Sequence, residues 1–358
     1  MALGPDGSPV DKREVEPSVS IVLPTFNESD IVETKLEDIA SLDYPTEKLE
    51  LVVVDASDDG TGELIESFYT DQNGPTLSVI REDSRRGLAV ALNDGYAAAS
   101  NEIVVKTDCD SKLAPDALRE AVANFDDPSV GGVTGRNADV IGGSEVESNY
   151  RGMQAFVQMA ESHLDSTLIF HGPFSAFRRN LIVPIDEDSL ADDSELALRI
   201  RRNGSRVVFD PAVRYKEAAQ SAFRDRRAQK DRRGMGLLRL LFRQVDALGQ
   251  HGAYGRVVLP LNWGMMVISP WLVTAGIIAI VAGAISNFGW LGIAVPLTLG
   301  GFVLLGSADR LGPFEPLYAL FDAQVSLVSA GLSLVLSDAD GTWDQQTELR
   351  NTFQTGED

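Results

Sequence analysis

Over roughly its first 220 residues the chain alternates short β-branched runs with amphipathic stretches. Val19–Leu23, Leu51–Val54, Leu77–Ile80 and Glu102–Lys106 read as buried strands, and Ser29–Ile39, Gly60–Tyr69 and Leu88–Ala99 carry the spacing of surface helices. Strands alternating with helices predict an α/β domain with a mostly parallel sheet covered on both faces. In such sheets ligands lie beyond the carboxyl ends of the strands. The polar clusters obey that rule. Pro24-Thr25-Phe26-Asn27-Glu28 follows the first strand, Asp55-Ala56-Ser57-Asp58-Asp59-Gly60 the second, and Thr107-Asp108-Cys109-Asp110 the fourth.

The pattern changes completely further on. No charged residue occurs from Val257 to Ala308, a run of 52 positions. A membrane-crossing helix needs about 20 mostly apolar residues, so two crossings are expected, Val257–Ile285 with a kink at Pro270 and Phe288–Leu305. A third apolar run, Leu317–Leu336, contains Asp322 and Gln324. It reads either as a third span or as an interfacial helix. Residues 1–17 are polar and lack an apolar signal core, which predicts a cytoplasmic front end. The expected organisation is a polar segment (1–17), a catalytic-size α/β domain (18–223), a basic interfacial segment (224–256), a membrane region (257–336) and an acidic tail (337–358).

Charge refines this picture. The chain of 358 residues has 31 basic and 53 acidic side chains, a net −22, and only seven of the basic ones are Lys. An acidic, Lys-poor surface suits concentrated salt, where screening suppresses self-repulsion. It argues against nucleic acid as a partner. The charge is uneven: residues 224–256 hold nine basic and three acidic groups, a basic collar between an acidic domain and an uncharged anchor. Such a collar before an apolar span places the preceding domain on the cytoplasmic face. A single cysteine, Cys109, excludes an internal disulfide and a multi-cysteine metal site. It reads as a packed spacer.

Three carboxylate groups carry candidate chemistry. Asp108 and Asp110, two apart just past a strand, can flank one divalent cation that bridges a diphosphate, or can simply form a solvated loop. Asp55 at the end of the second strand can accept hydrogen bonds from a nucleoside, while Ser57 to Thr61 form a turn and cap the next helix. Asp192 and Asp193 open a helix, where the dipole favours them, and either could serve as a general base. The stretch Arg224–Arg243 holds eight basic residues against two acidic ones. It can offset charge on a leaving diphosphate or sit against anionic lipid.

In this order the motifs resemble glycosyltransferase family 2, the inverting sugar transferases with a GT-A fold. The resemblance rests on Val22-Leu23-Pro24-Thr25-Phe26-Asn27-Glu28, Val53-Val54-Asp55 through Gly60-Thr61, Asp108-Cys109-Asp110, Gly172 with Arg178-Arg179, Asp192-Asp193-Ser194-Glu195-Leu196 and Gln229-Lys230-Asp231-Arg232-Arg233. It spans roughly Ser18 to Arg243, with a weaker echo at Thr342–Arg350. The resemblance implies that Pro24, Thr25 and Glu28 line the nucleotide pocket and that Asp55 contacts the base. It makes Asp108 a ribose or metal contact and Asp110 the principal ligand of a divalent cation (Mg2+ or Mn2+). Asp193 is then the general base, and Gln229 and Arg232 lie over the diphosphate and acceptor. Two positions depart from the pattern: Asp192 stands where Glu is usual, and Arg233 where Trp is usual, which removes an aromatic face for an acceptor sugar.

The implied donor is a nucleotide-diphosphate sugar. With few spans to build a pore, addition of one sugar to a membrane-confined acceptor is expected, such as a polyprenyl (dolichyl) phosphate-linked glycan. In a salt-adapted archaeon that would serve protein N-glycosylation or surface glycan assembly. A processive polysaccharide synthase and a non-catalytic nucleotide-sugar-binding subunit are the alternatives. A nucleotidyltransferase would show a Gly-rich basic first loop, which this chain lacks. The loops Arg136–Tyr150 and His163–Gly172 are expected to set donor choice, and His171 either touches the acceptor or is structural.

Overall fold

A computed structural model describes residues 9–69, 74–141, 145–218, 223–308 and 310–336. One eight-stranded sheet forms the centre. In chain order its strands are β1 (Val19–Thr25), β2 (Leu49–Asp55), β3 (Thr76–Arg81), β4 (Ile103–Lys106), β5 (Ser111–Leu113), β6 (Val130–Ile141), β7 (Ser175–Arg178) and β8 (Arg206–Ala218). The spatial order is β3-β2-β1-β4-β7-β6-β8-β5. The first four strands are parallel neighbours, β7 is antiparallel to β4 and to β6, and β6 runs parallel to β8. The four strands expected from sequence are all present, the first three slightly longer than their expected runs and the fourth one residue shorter.

Side chains on a strand alternate between faces, and that period divides the core. Val19, Ile21, Leu23, Leu51, Val53, Ile103 and Val105 face one layer with α1 (Val32–Ala40) and α4 (Ala117–Ala123). Val22, Val52 and Val104 face the other, with α3 (Leu88–Ala98) and α6 (Asp192–Arg202). Helix α2 (Thr61–Phe68) covers the β3 edge, and α5 (Glu145–Leu164) lies beyond β8. The described part of the N-terminal segment is tied to this domain: Lys12 pairs with the buried Asp210 at 2.6 Å.

Helix α7 (Phe223–Arg243) leads from the domain to the apolar helices α8 (Leu259–Trp263), α9 (Ser269–Phe288), α10 (Ala294–Ser307) and α11 (Glu315–Leu336). Two stretches, Tyr254–Ser307 and Gly312–Leu336, are long and apolar enough to cross a membrane. The first expected span divides into α8 and α9 with a π-helical turn, Gly264–Ile268, between them. Pro270 follows that turn directly, at the start of α9, where its missing N–H leaves the ladder free to shift. Apolar side chains of α9 and α10 point outward, Ile278 at 63% and Leu304 at 72% exposure. Exposed apolar surface of this extent marks a face that meets something other than water. The acidic tail 337–358, including the stretch Thr342–Arg350, lies outside the described residues.

Several polar residues of α11 are matched across the helix packing. Asp322 accepts from Arg227 at 2.9 Å and Lys230 at 3.0 Å, both on α7, and Ser329 donates to Asp231 at 2.7 Å. Gln324 accepts from Ser269 at 3.0 Å. The last helix is thereby pinned along α7. Nearer the domain, Asn262 of α8 donates to the buried Glu161 of α5 at 2.6 Å. Removing one member of a buried ion pair leaves its partners uncompensated and costs about 3 kcal/mol. Asp322→Ala is therefore expected to lower the unfolding midpoint of the detergent-solubilised protein by roughly 6–10 °C, measured by thermal unfolding; an unchanged midpoint would show that α11 is not held by this pair.

Candidate functional site

The loops after β1 and β2 are stitched together before any side chain reaches the site. Asn27 occupies a left-handed conformation, φ 54°, a region Asn tolerates better than most residues. Its N–H donates to Ser57 at 2.8 Å and its side-chain oxygen accepts from the Asp58 N–H at 2.9 Å. The Glu28 N–H donates to Thr61 at 2.8 Å. These bonds hold Pro24, Thr25, Phe26 and Glu28 along one wall of a cavity of about 430 Å3.

Asp55 is placed behind that wall. It is fully buried, it accepts from Thr25 at 2.8 Å and from Ser57, and it pairs with Arg81 at 2.8 Å. Of the residues expected at the site, Pro24, Thr25, Glu28, Asp108, Asp110, Asp193, Gln229 and Arg232 all line the cavity, whereas Asp55 does not. Its described contacts brace the loops after β1 and β2 from within.

The carboxylates converge opposite. β4 delivers Asp108 and Asp110, and the loop turns back through Ser111, whose hydroxyl donates to the Asp108 carbonyl at 2.8 Å. Cys109 between them is buried in the core, as a packed spacer would be. Helix α6 delivers Asp192 and Asp193 at its first turn. The segment His171-Gly172-Pro173 closes the gap between β4 and α6. It is fixed by Thr107 donating to the Pro173 carbonyl at 2.9 Å and by the Phe170 N–H donating to Ser194 at 2.9 Å. A side chain at Gly172 has no room: its Cβ would stand 2.6 Å from Asp108 Oδ2, 2.9 Å from Lys106 Nζ and 3.4 Å from Asp193 Oδ2.

Crowding of carboxylates away from water has electrostatic consequences. Burial pushes the Asp193 carboxyl up to about 7; Lys106 pulls against this while Asp192 and Asp108 reinforce it. Burial, with Asp108 and Glu217 nearby, pushes Asp110 up to about 6. One oxygen of Asp193, Oδ1, is buried without a hydrogen-bond partner among the described residues. A divalent cation fits this setting, because excess buried negative charge is what such an ion relieves. No cluster of three or more ligating side chains exists among the described residues, so Asp108 and Asp110 would hold the ion together with oxygens of a bound diphosphate.

Cations complete the cavity. Gln229, Arg232 and Arg233 reach it from α7, and Arg151 from α5. Arg233, where the motif usually has Trp, pairs with Glu217 at the end of β8, which also meets Arg151 at 3.2 Å. Burial works to raise Glu217, yet Arg233 and Arg151 hold its carboxyl down at about 2. His171 lines the cavity but its Nε2 bonds Gln158 at 3.0 Å, and burial with Arg151 and Arg233 nearby brings its pKa down to about 3. It is a neutral, anchored histidine. Residues 142–144, within the loop expected to select the donor, lie outside the described residues.

Sequence reasoning missed Lys106, Arg151 and Glu217. A lysine ending a β-branched strand two positions before an aspartate was the available signal for the first. Arg151 and Glu217 carry no local motif, since they meet only through the packing of α5 on β8.

The far end of the cavity is apolar. Leu237, Met266, Ala323 and Leu327 line it, and Met266 and Leu327 also line a second groove of about 600 Å3. That groove runs between α7 and the apolar helices, with Val267, Trp271 and Leu334 along its walls and Arg239 and Arg243 beside it.

Comparison with known proteins agrees with this layout. The model of "Glycosyl transferase family 2" matches residues 20–184, and that of "Glycosyl transferase family group 2" matches residues 103–305. The poly-β-1,6-N-acetyl-D-glucosamine synthase of Staphylococcus aureus (strain MSSA476) is 29% identical over 211 residues, 56% of this chain and 49% of that protein. The Staphylococcus epidermidis enzyme of the same name is 27% identical over 217 residues, 58% of this chain and 50% of that one. The chain thus spans about half the length of the curated relatives it matches. Among solved structures, mannosyltransferase PcManGT from Pyrobaculum calidifontis, in complex with GDP-Man and Mn2+, superposes with a TM-score of 0.78 at 29% identity. That match covers 91% of this chain and 90% of the other. With an α/β GT-A domain, apolar C-terminal helices and a family model spanning more than half its length, the chain belongs to glycosyltransferase family 2.

Proposed function

We propose that this protein moves one sugar, with inversion, from a nucleotide-diphosphate sugar to a membrane-confined acceptor, with Asp193 as general base. The observation that carries this reading is the place of Asp193, which lines the same cavity as Asp108 and Asp110 and whose Oδ1 has no hydrogen-bond partner among the described residues. A general base must present a free acceptor atom within reach of the proton it takes. A carboxyl pushed up to about 7 accepts a proton far more readily than an ordinary aspartate.

The donor's nucleotide lies along Pro24, Thr25 and Glu28, with Asp55 bracing that wall from behind. The solved relative was crystallised with GDP-Man and Mn2+, and mannosyl transfer from GDP-mannose is accordingly the first donor to test. The acceptor hydroxyl gives its proton to Asp193 Oδ1 and its oxygen bonds the anomeric carbon from the face opposite the nucleotide. The bond to the diphosphate breaks on the other side, and the configuration inverts. Charge gathering on the departing diphosphate is met by Arg232, which lines the cavity from α7. A divalent cation held by Asp108 and Asp110 supplies Lewis-acid neutralisation of the same diphosphate when bound.

The acceptor side is argued from continuity. The polar cavity and the apolar groove adjoin, with Met266 and Leu327 in the lining of both, so a molecule with a sugar or phosphate head and a hydrocarbon tail suits the two together. A polyprenyl phosphate-linked glycan, of the kind used in protein N-glycosylation or surface glycan assembly, has that shape. The paired helical stretches Tyr254–Ser307 and Gly312–Leu336 support a membrane anchor, with the α/β domain against the cytoplasmic face beside the basic collar.

The test incubates proteoliposomes with GDP-mannose, other nucleotide sugars and polyprenyl phosphate-linked glycans, and weighs the products. One added sugar unit, dependent on Mn2+ or Mg2+, is the expected result; ladders of many units would replace the reading with a processive synthase. Asp193→Asn should lower kcat by about 10²–10⁴-fold with donor binding kept, and Asp110→Ala should abolish metal-dependent donor binding by calorimetry. Turnover surviving both substitutions would remove the mechanism. Leu327→Trp, which blocks the junction of cavity and groove, should suppress transfer to the lipid-linked acceptor while GDP release to water continues. Equal loss of both would mean that the groove is not an acceptor path.

A further inference from the structure

Strand β4 reads Ile103-Val104-Val105-Lys106, and all four side chains are buried. The fold explains the first three, which pack into the two core layers. Lys106 is different: the residue is only 1% exposed and sits where a hydrophobic residue would complete the strand. Withdrawing an ammonium from water costs several kcal/mol unless nearby charges and hydrogen bonds compensate. Here three carboxylates do so. Lys106 Nζ lies 2.8 Å from Asp108 Oδ1, 3.2 Å from Asp193 Oδ2 and 4.0 Å from Asp192 Oδ2.

The contacts are selective at the level of single oxygens. The lysine takes Oδ1 of Asp108 and Oδ2 of Asp193, one from the loop after β4 and one from α6. Each carboxylate is left with its other oxygen. Oδ2 of Asp108 borders the space kept open at Gly172, where an added Cβ would meet it at 2.6 Å. Oδ1 of Asp193 has no partner among the described residues. A carboxylate rotates freely about its last bond unless one oxygen is fixed, and near-attack geometry tolerates little misplacement.

We propose that Lys106 is a positioning residue: anchored on Asp108, it fixes the Asp193 carboxylate so that Oδ1 faces the acceptor hydroxyl. The proposal rests on the assignment of Asp193 as base. It separates Lys106 from Arg232, which faces the diphosphate and acts on the leaving group. It also gives Gly172 a reason, since any side chain there would press on the clamp from the cavity side.

A double-mutant cycle tests this, with GDP release from the nucleotide sugar that the wild type turns over as the readout. Lys106→Met in the wild-type background should lower kcat by about 10²-fold and change donor KM far less. In the Asp193→Asn background the same substitution should cost little further, because the group through which Lys106 acts is gone. If Lys106→Met yields no folded protein, Lys106→Arg, which keeps the charge but moves it, replaces it in the same cycle. Equal losses in both backgrounds, or a loss confined to KM, would reduce Lys106 to charge compensation and overturn the proposal while leaving the base assignment intact. Full turnover by Asp193→Asn alone would overturn the base assignment and the clamp with it.

Discussion

Gathering carboxylates out of water at the carboxyl edge of a parallel sheet is the constraint around which this protein is arranged. Asp108, Asp110, Asp192, Asp193 and Glu217 border one cavity, and like charges in a low-dielectric site repel strongly. The compensation comes from separate parts of the chain: Lys106 from β4, Arg151 from α5, Arg232 and Arg233 from α7. Each cation carries an element with it. The charge balance of the site therefore dictates that α5 and α7 close over the sheet, and α7 in turn sets where the apolar helices begin.

Helix α7 serves two environments at once. One side presents Gln229, Arg232 and Arg233 to the cavity, and another holds Arg227 and Lys230 against Asp322 of α11. Further along, Leu238, Arg239, Phe242 and Arg243 border the apolar groove, with Arg243 paired to Asp188 at 2.8 Å. The basic collar visible in the composition is thus spent three ways: on the polar site, on the last helix and on the loop before α6. A helix so divided ties the apolar region to the residues that line the polar cavity.

How much of this could be read from residues alone follows from the range of the interactions. β1 to β4 and the helices between them were legible because each strand is a short apolar run rich in β-branched residues, a local signal, with β1, β2 and β4 largely buried and β3 a partly exposed edge strand. β6 was not: Val130-Gly131-Gly132-Val133-Thr134-Gly135 lacks that pattern, and a Cβ at Gly135 would stand 2.2 Å from the Val213 carbonyl oxygen of β8. That glycine is fixed by a close approach of two backbones 78 residues apart in sequence numbering, which no window of residues contains. The acidic motifs were legible as types, but Asp55 shows the limit. Its position at a strand end suggested a ligand contact, and the structure adds partners on Thr25, Ser57 and Arg81 by which it also braces the loop, which no local pattern showed. Asp322 could not be placed as lipid-facing or paired until its partners on α7 were seen.

The departure from the family pattern at Arg233 follows from the same electrostatics. A tryptophan at this position offers an aromatic face and no charge, and would leave Glu217 with Arg151 alone. Arginine adds a second cation to a buried carboxylate and extends the row begun by Arg232, so the wall it forms is hydrogen-bonding rather than stacking. Glu217 itself is buried and little reached by solvent ions, although Arg233 is 45% exposed, whereas the exposed carboxylates that contribute to the net −22 are open to screening. Concentrated salt would relax repulsion across the acidic surface and act less on the buried carboxylates of the cavity. An acidic exterior and a locally balanced interior are therefore compatible, because screening acts on one and burial on the other.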